Sequence, residues 1–453
     1  MVARAKSTIT GLRILANSVR GMSMLNMRQL YKTVVLPVLT FGAAVWYTGR
    51  KQKCLTDKME RAQSLALRLM TGAFRTTPLE ALRQIASIPP IPIQLERTID
   101  FAAIRLRTLP RTAQPRLRLR GGWEPIQAHL PVNVGPKKRR FEYSNLLLLA
   151  SRTDEHGERL SPYTTAPWEG SNPFGPQISF DAPSLSSRQE KAARVRAIRA
   201  EVNAAARDPS RLVVFTDGSR REAEGAARTG AAYAIYHHGI EIETRGIGMG
   251  RKTGVYDAEM LALAAASVRV IELMKEQNLP INEITYYTDN QSAIKTILDT
   301  SPHPAQAYSI IFRKNTTTYL TSVIRSRVRV AWVPGHKGVA GNERVDKLAK
   351  NAVTKPPITP ESSISWAREQ ASRKTLRTWQ REWKTRSKTS QYTVALRNPP
   401  CLKPLKFVRE FDGERDVFCR VTQVLTGHAF VGEYYLRFNI RDEPVECPCG
   451  APL

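Results

Sequence analysis

Cysteine is scarce in this chain: five in 453 residues, at Cys54, Cys401, Cys419, Cys447 and Cys449. That number and scatter exclude a disulfide scaffold and point to a reduced, intracellular setting, nuclear or cytoplasmic. Long apolar runs are also missing. The longest, Thr33 to Trp46 ("TVVLPVLTFGAAVW"), is short for a bilayer span and is broken by Pro37 and Gly42, so membrane attachment is not expected. No acidic residue precedes Asp57, a bias shared with transit peptides; mitochondrial import is the lesser alternative to a basic segment that meets nucleic acid.

Negative charge is in short supply throughout. Asp and Glu number 40 against 69 Lys and Arg, a formal charge of +29. A surplus of that size calls for a polyanionic partner, with phosphate contacts supplying most of the affinity. The few acids therefore matter by position, and four are oddly placed. Asp217 ends an apolar, strand-like run, "RLVVFTDGS", and Asp289 ends another, "ITYYTDN". A carboxylate at the end of a buried strand costs free energy unless it is solvated, hydrogen-bonded or bound to a cation. Glu259 is expected in the first turn of an alanine-rich helix, "YDAEMLALAAASVRVIELMKE", where the helix dipole favours its charge. Asp346 sits one turn into "NERVDKLAKNAV", beside a seam of Val345, Leu348, Ala349 and Ala352 and on the same face as Asn342.

The surrounding pattern gives these acids a scaffold. Three strand-like runs between Arg211 and Gly250 are followed by alternating helix and strand up to Ala352, which implies a mixed α/β sheet covered by helices. If the strands of Asp217 and Asp289 are parallel neighbours, their ends meet at one edge of that sheet. Several carboxylates converging there would repel strongly without divalent cations among them. Oxygen donors with no His or Cys cluster suit Mg²⁺ or Mn²⁺ rather than zinc, and two such ions are the usual apparatus of phosphodiester hydrolysis. On spacing alone, surface acids and helix-terminal pairs stay open as the alternative.

Four blocks in this order, "FTDGS", "AEMLAL", "YYTDNQSAI" and "WVPGHKGVAGNERVDKLAK", resemble the ribonuclease H family. The resemblance covers about a third of the chain. It implies a five-stranded mixed sheet flanked by helices over 207–354 and an endonuclease that cuts the RNA strand of RNA–DNA hybrids. Residue by residue, it implies metal-binding, catalytic carboxylates at Asp217, Glu259, Asp289 and Asp346, two Mg²⁺ ions with Mn²⁺ as substitute, and a catalytic histidine at His336. Asp257 is a rival to Glu259, but it points to another helix face. Ser219, Asn290 and Gln291 fall where such enzymes approach the substrate backbone; turn and helix capping is their plainer role. Small-molecule substrates are not implied, and a monomer is expected.

The flanks carry a second resemblance. "LYKTVVLPVLTFGAAVW" and "LRLMTGAFRTTPLEALRQIASIPPI" look like the region after the palm in non-LTR retrotransposon reverse transcriptases, and "LTGHAFVGEYYLRFNI" like the segment after their ribonuclease H. The implied layout is a helical region over 1–110, a basic Pro/Gly-rich linker over 111–185, the ribonuclease H region, and a basic helical segment over 355–453. No Tyr-or-Phe-x-Asp-Asp sequence occurs, so reverse transcription is not expected. Cys447-Pro-Cys449 has no further Cys or His after it and is expected to be an incomplete zinc motif. His237 and His238 are expected in a turn, and Trp332 in the core. Two other readings compete with the hydrolase: a catalytically silent nucleic-acid-binding remnant, and a DNA-cutting integrase or resolvase. The "PGHKG" loop and the fourth acid argue against the second.

Overall fold

A computed structural model describes residues 1–47, 52–110, 156–162, 173–185, 187–223, 225–335, 337–358, 361–386, 398–411 and 413–440, with residues 49, 113, 149, 152, 164, 166 and 168. The basic clusters of the 111–185 stretch, His336 and Cys447–Cys449 lie outside these residues. The chain divides into two compact units, one comprising 104–121 and 154–369, the other the remainder.

The first unit is built on one six-stranded sheet: β1 (Ile178–Asp181), β2 (Arg211–Ala223), β3 (Ala226–His237), β4 (Ile240–Gly250), β5 (Glu283–Thr288) and β6 (Arg327–Trp332). Its order is β1-β6-β5-β2-β3-β4. β2, β3 and β4 form an antiparallel meander, while β2, β5, β6 and β1 run parallel. Five strands were expected. The sixth, β1, comes from the stretch read as linker, whose Pro and Gly content hid a four-residue edge strand pairing with β6 from Ile178↔Val328 to Asp181↔Ala331.

Helices cover both faces. α1 (Arg188–Ala205) and α5 (Ala340–Ala352) pack on one; α2 (Val255–Glu276), α3 (Gln291–Thr296) and α4 (Gln306–Ser322) pack on the other. Alternate residues of each strand serve alternate cores. Leu212 and Val214 join Tyr286 and Val330 under α2 and α4, whereas Val213 and Phe215 join Tyr287 and Ala331 under α1 and α5. Burial on both faces is why these strands read as unbroken apolar runs. His238 (φ 52°) and Gly239 (φ 76°) make the two-residue turn between β3 and β4; His237, expected in that turn, is instead the last residue of β3, paired with Ile240.

In the other unit, Lys53–Thr71 and Leu79–Ala86 are helices within the stretch 1–110 expected to be helical. The apolar run proves longer than its sequence implied. Met24–Leu39 runs as consecutive α and π turns, and Ala43–Trp46 follows a turn at Gly42 (φ 64°); the 23 residues 24–46 are long and apolar enough by length and composition to cross a membrane. Pro37 sits inside this path just after the π-helical stretch Tyr31–Val35, whose wider turn accommodates its ring and missing N–H. One stripe of this path, Met24, Met27, Tyr31, Val35, Leu39 and Ala43, is buried within the unit, and the buried Arg28 guanidinium donates to the carbonyls of Ala86, Ser87 and Leu402.

Candidate active site

Asp217 and Asp289 meet as expected, with one correction. β2 does not end at Asp217; it continues to Ala223 against β3. What ends is its pairing with β5, whose last partners are Thr216 and Thr288. Each aspartate is thus the first residue past the shared parallel register. Trp332 lies in the core, 9 % exposed, and its indole N–H donates to the Asp289 carbonyl at 2.9 Å, fixing where β5 stops.

Glu259 reaches the same place from α2, again with a correction. The acid in the first helical turn is Asp257, whose Oδ2 accepts the Gly254 N–H at 2.7 Å and the Ser363 hydroxyl at 2.5 Å. Asp257 is a helix cap facing away from the other acids. Glu259 lies deeper in the helix, so hydrogen bonds position it rather than the helix dipole. The Thr288 hydroxyl donates to its Oε2 at 3.1 Å, and the Gly218 N–H also serves it. Two glycines permit the close helix packing. A Cβ on Gly218 would lie 2.7 Å from the Glu259 nitrogen and 2.9 Å from the Ala258 side chain. A Cβ on Gly341 would enter the Phe215 ring, so that glycine lets α5 settle on β2.

Carboxylate oxygens of Asp217, Glu259 and Asp289 lie within 4.8 Å of one another. Asp346 lines the same cavity from α5 but stands outside that triad and pairs with Lys350. Asp217 is 7 % exposed and Glu259 2 %. Burial, then the charges of Asp289 and Asp346, push the Asp217 carboxyl up to about 7. Burial, then Asp217 and Asp289, hold Glu259 well above the ordinary glutamate range. Acids so placed resist ionising together without a counter-charge. The Asn342 Oδ1 atom, buried on the same cavity wall, has no hydrogen-bond partner among the described residues. A hard divalent cation fits this all-oxygen donor set.

The cavity, about 660 Å³, is also lined by Ser219, Asn290 and Gln291. Two of these have structural work. Asn290 Oδ1 caps α3, accepting the N–H groups of Ser292 at 3.0 Å and Ala293 at 3.1 Å. The Gln291 amide donates to the Pro183 carbonyl at 2.9 Å. Among the lining residues, Leu185, Lys191, Arg220 and Val255 fall outside every block singled out in the sequence. Leu185 and Lys191 lie ahead of the expected boundary at 207, Leu185 in the connection before α1 and Lys191 in α1, whose basic composition is common to much of the chain. Cys419 and His428 are buried elsewhere, and the imidazole Nδ1 of His428 faces the Thr426 carbonyl.

Residues 209–354 match the sequence model of the RNase H family. Among solved structures, RNase H1 of the halophilic archaeon Halobacterium salinarum is similar at 20% identity and a TM-score of 0.24, covering 32% of this chain and 99% of its own. LC11-RNase H1 from a compost metagenome, solved with an RNA/DNA hybrid, is similar at 19% identity and a TM-score of 0.25, with 32% and 97% covered. The protease-reverse transcriptase of prototype foamy virus is similar at 15% identity and a TM-score of 0.27, with 33% and 22% covered. Residues 209–354 of this chain are a ribonuclease H family region.

Proposed function

We propose that this protein hydrolyses the RNA strand of RNA–DNA hybrids in a divalent-metal-dependent reaction. The observation that carries the reading is the convergence of Asp217, Glu259 and Asp289, from the middle of β2, a helix and the end of β5, on one open cavity in a strongly basic chain. Asp217, Glu259 and Asp289 would hold Mg²⁺ or Mn²⁺, with Asp346 and Asn342 on the adjacent wall. Two such ions would supply an activated water and stabilise the leaving oxygen. The protein's own part is positioning. Thr288 orients the Glu259 carboxylate, the Trp332 indole anchors the Asp289 backbone, and the Asn290 cap fixes the chain just after it. Lys350 holds Asp346 to one side of the triad, leaving the cavity open to a phosphodiester. On the strength of the flanking motifs, we further read the chain as retrotransposon-derived.

The test is strand-specific cleavage of labelled duplexes by the full chain. RNA in an RNA–DNA hybrid should be cut with Mg²⁺ or Mn²⁺ and spared with EDTA, while double-stranded DNA and RNA stay intact. Equal cutting of double-stranded DNA overturns the reading. Binding without cutting would establish the silent remnant in its place.

A further inference from the structure

We propose that Lys191, which lies outside the family region, contacts the substrate by taking a backbone phosphate of the nucleic acid at the rim of the carboxylate cavity. The inference rests on the function proposed above and adds a determinant of substrate affinity.

Lys191 lines the cavity from α1 and is partly exposed. Its ammonium group makes no hydrogen bond or ion pair among the described residues. The other two cations lining the cavity are committed. Lys350 pairs with Asp346, and Arg220 pairs with Glu369 at 2.6 Å. Arg194 pairs with Asp181 at 2.8 Å and donates to the Trp332 carbonyl at 3.1 Å. Four carboxylates around a cavity repel a phosphate backbone, and an uncommitted cation at the rim offsets that repulsion where the strand must enter.

The structure also holds this lysine in place. Ser187 and Glu190 form a reciprocal cap at the start of α1, each bond 3.0 Å long. Val195, Ile198 and Ala205 bury the underside of the helix against the sheet. Upstream, β1 pairs with β6, and Asp181 binds Arg329 at 2.5 Å as well as Arg194. The Gln291 amide ties the segment between β1 and α1, through the Pro183 carbonyl, to the helix behind Asp289. Leu185 and Lys191 thereby bring this segment to the cavity wall, and Lys191 is the lining cation left without a partner among the described residues.

The experiment compares the full chain with its Lys191→Ala, Lys191→Gln and Lys191→Arg variants on one hybrid duplex. Binding is measured in EDTA from 50 to 200 mM salt, and cleavage over a range of Mg²⁺ concentrations. Loss of one phosphate contact should weaken hybrid binding by about 3–10-fold and lower the log–log salt slope by about 0.7–0.9. The effect on kcat/KM should be carried by KM, and Lys191→Arg should restore most of it. Lys191→Gln keeps much of the aliphatic stem and separates loss of charge from any disturbance of α1, with thermal unfolding as the control. Unchanged affinity and salt slope overturn the proposal. So does a lower Mg²⁺ midpoint at unchanged hybrid affinity, which would make Lys191 an internal counter-ion of the acids. If the wild-type protein binds hybrid without cutting it, the cleavage reading fails, while the binding measurements still decide the role of Lys191.

Discussion

Asp217→Asn should abolish cleavage and, in the absence of metal, stabilise the fold. The carboxyl is pushed from 3.8 up to about 7, first by burial and then by Asp289 and Asp346. At about 1.4 kcal/mol per pH unit, that difference is worth up to about 4 kcal/mol against the ionised form. Between 3.8 and about 7 the folded chain keeps a proton that the unfolded chain has released, so stability falls as pH rises through this window and levels off above it. Asparagine keeps the shape and cannot ionise. It also relieves Glu259, whose carboxyl is raised in part by Asp217. Allowing for the weaker bond an amide oxygen accepts from the Gly218 N–H, the variant should gain about 2–4 kcal/mol above pH 7 in EDTA. For a domain of this size that is a rise in Tm of roughly 5–15 °C, shrinking to about 1 kcal/mol near pH 4.5. Thermal unfolding at both pH values, with EDTA and then with Mg²⁺, reads it out. Mg²⁺ should raise the Tm of the wild-type protein and leave the variant's nearly unchanged. No gain at pH 8 in EDTA, or the same gain at pH 4.5, would refute the reasoning, since a packing effect has no such pH dependence.

Three further outcomes are expected. Glu158 is pushed up to about 7 by burial although it accepts the Ala305 N–H at 2.6 Å and the Ile364 N–H at 2.8 Å. Its folded value lies above the ordinary 4.5, so it should remove up to about 3 kcal/mol of stability as pH rises from 4.5 to 7. In Glu158→Gln that part of the slope should vanish, and an unchanged pH–Tm profile would count against it. Gly218→Ala should cost about 1–3 kcal/mol and most of the activity, because the new methyl meets the backbone of α2 beneath Glu259. Full activity at unchanged Tm would show that α2 can retreat without moving the carboxylate. His336→Ala should slow cleavage by about 10²–10⁴-fold while leaving it metal-dependent, as for a proton carrier whose removal spares the metal ligands. Single-turnover rates near neutral pH check it, with unchanged turnover removing the catalytic role.

Much of this protein was legible in its residues because strand and helix periodicities are local. The apolar runs before Asp217 and Asp289, and the helix carrying Glu259, all form close to where the pattern places them. Their chemistry was legible too, since a carboxylate at the end of a buried run needs a partner wherever the chain goes next. The sequence could not show which strand neighbours which. Asp217 lies in the middle of β2, and only the shorter β5 beside it turns that position into an end. Likewise, the first-turn acid of α2 is a cap and the deeper Glu259 is the cavity residue, because Gly218 lets that level of the helix touch the sheet. Edge strand β1 went unseen, since four residues carry too little periodicity to stand out from a Pro- and Gly-rich stretch. Lys191 was invisible for a related reason: in a chain with 69 basic residues, one lysine acquires meaning only when folding leaves its charge unpaired beside the acids. Local pattern thus determined the elements and the chemistry at their ends, whereas strand pairing and close helix approach, both long-range contacts, decided which of those ends share a cavity.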